Sequence, residues 1–232
     1  MTTEIDPELR RLPVYLVLDT SSSMMGHPIE SVKEGVKMLV NSLSREPWAK
    51  GMVWISIITF NSEAEQIIPL TEVTNFPEAN LIAKGMTDYG YALRVLTNSL
   101  DKDLRKRTSE HRGDYKPVIY FLTDGYPTIS GWEQTVPDLH ARKYESLVAC
   151  AAGSNADEKE LRKITETVIR LQDATPESLS AFIQWVSQSI LTKSRSAGLS
   201  QELENPELPK CADYVDSPEG YSIDTKGISE TE

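Results

Sequence analysis

Oxygen-bearing residues gather at three places where apolar runs end or loops begin. Asp19, Ser21 and Ser23 follow from VYLVLD (14–19) in the order Asp-x-Ser-x-Ser. Thr87 lies in GMTDYG. Thr123 and Asp124, followed by Gly125, close PVIYFLTDG (117–125). Residues two apart in an extended segment can point the same way, so Asp19, Ser21 and Ser23 can face one centre. Oxygen donors with no His or Cys in a metal-like spacing suit a hard divalent cation, Mg²⁺ or Mn²⁺. Two carboxylates balance the charge of such an ion. Three neutral hydroxyls add ligands without adding charge, and a coordination position stays open for water or for an oxygen from another molecule. The plainer reading is a helix-capping loop after a strand, with Asp124-Gly125 a turn dipeptide. Each segment alone fits that reading. The three together, each at a strand or loop end, favour the metal.

The elements that must position these groups follow from hydrophobic pattern. VYLVLD is a continuous apolar run, as expected of a strand buried on both faces. His27-Pro28 opens a helix with Ile29, Val32, Val36, Leu39, Val40 and Leu43 on one face. MVWISIITF (52–60) and AEQIIPL (64–70) are strands separated by three residues, a link that permits a hairpin but no parallel crossover. Pro69 suits an edge strand. Leu93, Leu96, Leu100 and Leu104 mark the next helix. PVIYFLTDG, SLVACAAG (146–153) and TVIRLQD (167–173) are further strands, with helical segments at 128–143 and 157–164 and a last helix capped by Thr175-Pro176. Helices between buried strands imply an α/β fold with a mostly parallel six-stranded sheet, one antiparallel edge strand, and helices on both faces. In such sheets ligands bind beyond the carboxyl ends of the strands.

The chain has 232 residues and a net charge of −11, which argues against a general nucleic-acid binder. Residues 196–232 hold nine Asp/Glu against two Lys/Arg, so most of the imbalance belongs to the end of the chain. The organisation read from this is an N-terminal arm (1–10), one domain (11–193) and an acidic tail (194–232) expected to be flexible. No apolar run is long enough for a membrane span. The N-terminus has no apolar core of a secretory signal. Two distant cysteines, Cys150 and Cys211, fit unpaired thiols in a cytoplasmic setting.

The pattern Asp19-Thr20-Ser21-Ser22-Ser23, Thr87 and Asp124 resembles the metal-ion-dependent adhesion site (MIDAS) of von Willebrand factor type A (VWA) domains, and the resemblance spans residues 11–192. RRLPVYLVLDTSSSM, ITFNSEAEQIIPLTE, GDYKPVIYFLTDGYPT and DATPESLSAFIQWVSQSI are similar to the bacterial tellurite-resistance-associated, TerY-like branch. The resemblance implies a three-layer Rossmann-like fold with strand order 3-2-1-4-5-6. It implies Mg²⁺ held by Ser21, Ser23 and Thr87, with Asp19 and Asp124 acting directly or through water. It further implies a protein-binding module in place of an enzyme, whose partner supplies an Asp or Glu carboxylate. A metal-dependent protein phosphatase and a protein kinase are the candidate partners in a stress response. Some relatives carry a C-terminal cysteine-rich appendage; this tail has only Cys211, so a zinc ribbon is ruled out.

Two other readings compete. A phosphohydrolase of the haloacid-dehalogenase type also places an aspartate at its first strand tip and uses Mg²⁺. It needs a second carboxylate two residues on, where this chain has Ser21, which cannot act as an acid at neutral pH. A metal-free scaffold is the third reading, with the hydroxyls bonded to one another. Around the site, Tyr89 and Tyr126 are expected to be partner contacts, since aromatics flanking a polar centre anchor interfaces. Trp132 fits local packing at least as well. His27 is a further candidate contact at ligand entry, with helix capping as its alternative.

Overall fold

The alternation of apolar runs and amphipathic stripes folds as the pattern requires. The structure, a computed structural model, describes residues 10–109, 112–198 and 223–224. Six strands are joined by helices: β1 (Leu12–Asp19), α1 (His27–Arg45), β2 (Val53–Phe60), β3 (Ala64–Glu72), α2 (Tyr89–Asp103), β4 (Val118–Thr123), α3 (Val136–His140), β5 (Ser146–Ala152), α4 (Glu158–Ile164), β6 (Val168–Leu171) and α5 (Pro176–Gly198). They form one sheet in the order β3-β2-β1-β4-β5-β6. All neighbours run parallel except the β2–β3 hairpin, which places β3 antiparallel at one edge. This is the expected six-stranded order. A seventh strand of two residues, β7 (Ile223–Asp224), adds antiparallel to β6 at the other edge.

Every residue of β1 is buried because both faces of the sheet are covered. Val14, Leu16 and Leu18 enter the core shared with α1 and α5. Tyr15 and Val17 enter the core shared with α2, α3 and α4. Helices α1 and α5 approach closely at Gly35, where a Cβ would fall 2.5 Å from Cδ1 of Ile183. A larger residue there would force the Ile183 side chain to shift. Helix α5 continues to Gly198, past the boundary at 193 expected from composition, and Ser194 within it is fully buried. Apart from β7, the rest of the acidic tail, with Cys211, and the N-terminal arm before Arg10 lie outside the described residues.

At the N-terminal end of β1 a buried ion pair closes the sheet. Arg11 Nη2 lies 2.6 Å from Asp114 Oδ2, and both side chains are under a tenth exposed. Arg11 Nε donates to Asp114 Oδ1 at 2.8 Å, and the Arg105 backbone N–H donates to Asp114 Oδ2 at 2.7 Å. The guanidinium also lies over the ring of Trp54, 4.9 Å from its centroid. Asp114 thus has a cation and a backbone donor, as a buried carboxylate requires.

Candidate metal centre

Parallel pairing of β1 with β4 brings their C-terminal tips side by side. Asp19 is fully buried at the tip of β1. Its Oδ1 accepts the Ser21 backbone N–H at 2.7 Å, and its Oδ2 accepts the Thr123 hydroxyl at 2.5 Å. The Ser23 hydroxyl donates to Asp124 Oδ1 at 2.7 Å, and Ser21 Oγ lies 2.9 Å from Ser23 Oγ. Asp19, Ser21, Ser23 and Asp124 therefore form one hydrogen-bonded chain running from β1 to β4.

Thr87 reaches the same place from a separate loop. The Lys84 N–H donates to Thr20 O, and the Ser22 N–H donates to Gly85 O, tying that loop to the one after β1. The Thr128 N–H donates to Thr87 O, and the Thr87 N–H donates to Thr128 Oγ1, which fixes Thr87 from the other side. Asp88 then caps α2 by accepting the Tyr91 N–H at 3.1 Å, so its carboxylate serves the helix start. The Thr87 hydroxyl makes no hydrogen bond among the described residues, although the residue is buried.

Gly125 supplies the space between these groups. A Cβ there would lie 3.4 Å from Thr87 Oγ1 and 3.8 Å from Ser23 Oγ, so both hydroxyls border one point that no side chain fills. The electrostatics are one-sided. Burial pushes the Asp19 carboxyl up to about 6, against the pull of its hydrogen bonds from Thr123 and Ser21. Burial also raises Asp124, opposed by the Ser23 hydroxyl. Neither acid has an ion pair among the described residues. Two carboxylates at one strand-tip cluster, facing hydroxyls and no cation, are a donor set short of positive charge. The residues fit a hard divalent cation: Ser21, Ser23 and Thr87 offer hydroxyls, and Asp19 and Asp124 offer carboxylates. Among the described residues no group of three or more His, Cys, Asp or Glu converges on a metal-sized site.

Four of the five expected metal residues are in one bonded chain, and the fifth, Thr87, borders the gap at Gly125. Of the expected contacts, Tyr126 is 60% exposed directly after the Asp124-Gly125 turn. His27 is exposed at the start of α1, and its ring makes no hydrogen bond among the described residues. Tyr89 is a correction. It is fully buried, packed edge-on against Phe60, Phe121 and Trp132, and its hydroxyl donates to Gly125 O at 2.9 Å. Tyr89 cannot touch a partner; it holds the turn that carries Asp124. Trp132 is also buried. The sequence places Thr123 and Gly125 at the tip of β4 without their roles, and nothing in it marks Thr128. A threonine ending an apolar run beside an acid was the only visible signal for the first. Met25, Met86 and Ile129, all exposed, stand with Tyr126 on the three loops that carry the candidate donors.

A family model for the von Willebrand factor type A domain matches residues 14–183. No curated protein sequence matches the chain. Among solved structures, proximal thread matrix protein 1 from the mussel byssus, with a zinc-occupied MIDAS motif, superposes with a TM-score of 0.57 at 16% identity. The match covers 78% of this chain and 48% of that one. A von Willebrand factor type A protein from Catenulispora acidiphila gives 0.58 at 18% identity, covering 78% and 42%. BatB from Bacteroides thetaiotaomicron gives 0.54 at 16% identity, covering 80% and 99%. At such identities the likeness is one of fold. The chain spans about half the length of the mussel protein.

Proposed function

The chain belongs to the von Willebrand factor type A domain family, and on that premise we propose that it is a metal-ion-dependent protein-binding module. The observation that carries this reading is the charge imbalance at the strand tips. Asp19 and Asp124 are linked through Ser21 and Ser23, with no cation beside them among the described residues, and the free Thr87 hydroxyl faces the same gap. Ser21, Ser23, Thr87, Asp19 and Asp124 would hold Mg²⁺, with Mn²⁺ an alternative. When bound, the ion supplies a positive, oxygen-seeking centre suited to a partner's Asp or Glu carboxylate. The surrounding residues argue for a protein ligand over a small anion. Met25, Met86, Tyr126 and Ile129 offer exposed apolar area around the polar centre, the composition of an interface core.

The residues speak against hydrolysis. Ser21 occupies the position where a phosphohydrolase of haloacid-dehalogenase type needs its acid, and its hydroxyl is committed to Ser23. The finer reading rests on the four TerY-like stretches: an adaptor of a bacterial tellurite-resistance or stress system, cytoplasmic, acting with a metal-dependent protein phosphatase and a protein kinase. Among the described residues no helix is long and apolar enough to cross a membrane.

Calorimetric titration with Mg²⁺ and Mn²⁺ tests the site, followed by binding of the purified phosphatase and kinase in Mg²⁺ and in chelator. Metal binding lost in Asp19→Ala, and partner binding lost in chelator, is the expected pair of results. Absence of metal binding by the wild-type protein leaves the metal-free scaffold. Turnover of a generic phosphate ester in Mg²⁺ leaves the hydrolase.

A further inference from the structure

Next to Tyr126, a cleft of about 570 Å³ opens on the carboxyl-end face of the sheet. Tyr126, on the loop that carries Asp124, forms one wall. The β5–α4 loop around Ser154 and Asn155, with Lys159 and Arg170, forms the rest. The charges inside it are unevenly used. Asp157 caps α4 by accepting the backbone N–H groups of Lys159 and Glu160. Glu158 is paired with Arg162. Arg170, half-buried on β6, donates only to two neutral carbonyls, Ala156 O at 3.2 Å from Nη1 and Gly153 O at 3.4 Å from Nη2. These bonds fix its guanidinium at the cleft wall. Its other N–H groups and its whole positive charge have no acidic partner among the described residues. Lys159 beside it is exposed and likewise unpaired.

A guanidinium held in place with donors to spare is built for a carboxylate. We infer that this cleft is a second anchor for the same partner, taking a second acidic side chain on Arg170 while the first occupies the metal face. The inference rests on the metal-dependent reading above. The sheet sets the spacing. Arg170 lies on β6, two strands from β4 and three from β1, in the order β1-β4-β5-β6. Neighbouring strands are about 4.8 Å apart, so the two anchors are separated by about 10–14 Å. An extended peptide rises about 3.3 Å per residue and returns to the same side every second residue. Residues four apart therefore span about 13 Å and point the same way. The partner segment that fits is extended and acidic, of the form Asp/Glu-x-x-x-Asp/Glu, with Tyr126 beneath its middle.

The probes are two blocked heptapeptides of Gly and Ser, one with Asp at positions two and six, the other with Asp at two and Asn at six. Binding is followed by NMR titration of the full chain in saturating Mg²⁺ and in chelator. The two-acid peptide is expected to bind about tenfold tighter than the one-acid peptide, the scale of one charge-assisted contact. Arg170→Gln should remove that advantage and leave the one-acid peptide unchanged, which also shows that the variant is folded and its metal face intact. Equal affinities for the two peptides, or an advantage that survives Arg170→Gln, overturn the second anchor and leave the metal-dependent reading standing. If neither peptide binds in Mg²⁺, or if both bind equally well in chelator, the metal-dependent reading fails and the second anchor fails with it.

Discussion

The two ends of β1 each bury an acid, and they treat it in opposite ways. At the N-terminal end, Asp114 meets Arg11 at 2.6 Å and a backbone N–H from Arg105. At the C-terminal end, Asp19 meets a backbone N–H and the Thr123 hydroxyl, while Asp124 meets the Ser23 hydroxyl, and neither has a cation beside it among the described residues. Burying an ion without a counter-charge is costly, and the usual remedies are a paired side chain, protonation or a bound metal. The first end uses a side chain and is architecture. The second end lacks one, and the Asp19 carboxyl responds by holding its proton up to about pH 6. The contrast supports the proposed metal site: its two acids lack the counter-charge that Asp114 has among the described residues.

The sharpest way to break this comparison is to neutralise one acid at each end. Asp114→Ala leaves Arg11 buried without its partner, and loss of one member of such a pair costs about 3–5 kcal/mol. Urea unfolding should show that loss, with Mg²⁺ affinity unchanged in whatever fraction remains folded. Asp19→Asn should do the reverse. Mg²⁺ affinity should fall at least about a hundredfold, near 3 kcal/mol, by calorimetry. The unfolding midpoint of the metal-free protein should stay level or rise, because an uncompensated buried charge has gone. If Asp19→Asn destabilises the metal-free protein as strongly as Asp114→Ala does, both acids are architecture and the contrast collapses.

How much of this was legible in the sequence depends on whether the signal was local. The strand β1 and its terminal acid were visible because a run buried on both faces is apolar throughout. The donors of the site were visible because each sits at or next to the end of an element. The burial of Tyr89 is also written in the chain, in the stripe of α2. Leu93, Leu96 and Leu100 mark the inner face of α2, and Tyr89 lies one turn before Leu93 on that stripe, whereas Tyr91 lies off it and is exposed. Helix α5 runs past residue 193, and Ser194 on it faces inward despite its polarity, which composition does not show. The Arg11–Asp114 pair could not be read, since it joins residues about a hundred positions apart and nothing near either one announces it.

Acidity sharpens the comparison next. The Asp19 carboxyl is raised from 3.8 to about 6 in the folded, metal-free protein. Between those values the folded state binds a proton that the unfolded chain has released. Stability of the metal-free protein should therefore fall as pH rises through that window, by an amount on the order of 3 kcal/mol at most. Asp124 is shifted in the same direction. A cation must displace the proton, so Mg²⁺ should raise the melting temperature at pH 7.5 and do little at pH 5. An equal rise at both values would mean that Asp19 is not among the groups that hold it.

A smaller effect comes from filling the gap. Gly125→Ala adds a methyl group at ordinary contact distance from Thr87 Oγ1 and Ser23 Oγ, so the fold has room for it. The same methyl group crowds the point the two hydroxyls border. Mg²⁺ affinity should drop about tenfold, near 1.4 kcal/mol, with the unfolding midpoint almost unchanged. A large loss of stability instead would assign Gly125 to the fold alone.

The smallest change tests the one donor that the protein leaves idle. Thr87 is held on both sides of its peptide by Thr128, so Thr87→Val keeps the loop, the shape and the burial and removes only the hydroxyl. That hydroxyl makes no hydrogen bond among the described residues, so the folded state loses no protein contact and stability should stay level within a few tenths of a kcal/mol. Asp19 and Asp124 retain the charge that attracts the cation, so Mg²⁺ affinity should weaken only about threefold. Binding of the one-acid peptide should weaken more, about tenfold, because Thr87 stands on the loop that also carries the exposed Met86 and borders the open side of the site. Thr87→Ser should restore both. Equal losses in metal and peptide affinity would make Thr87 an ordinary ligand. No loss in either would place the cation away from the Gly125 gap, and with it would go the idea that this end of β1 differs from the other by what it leaves open.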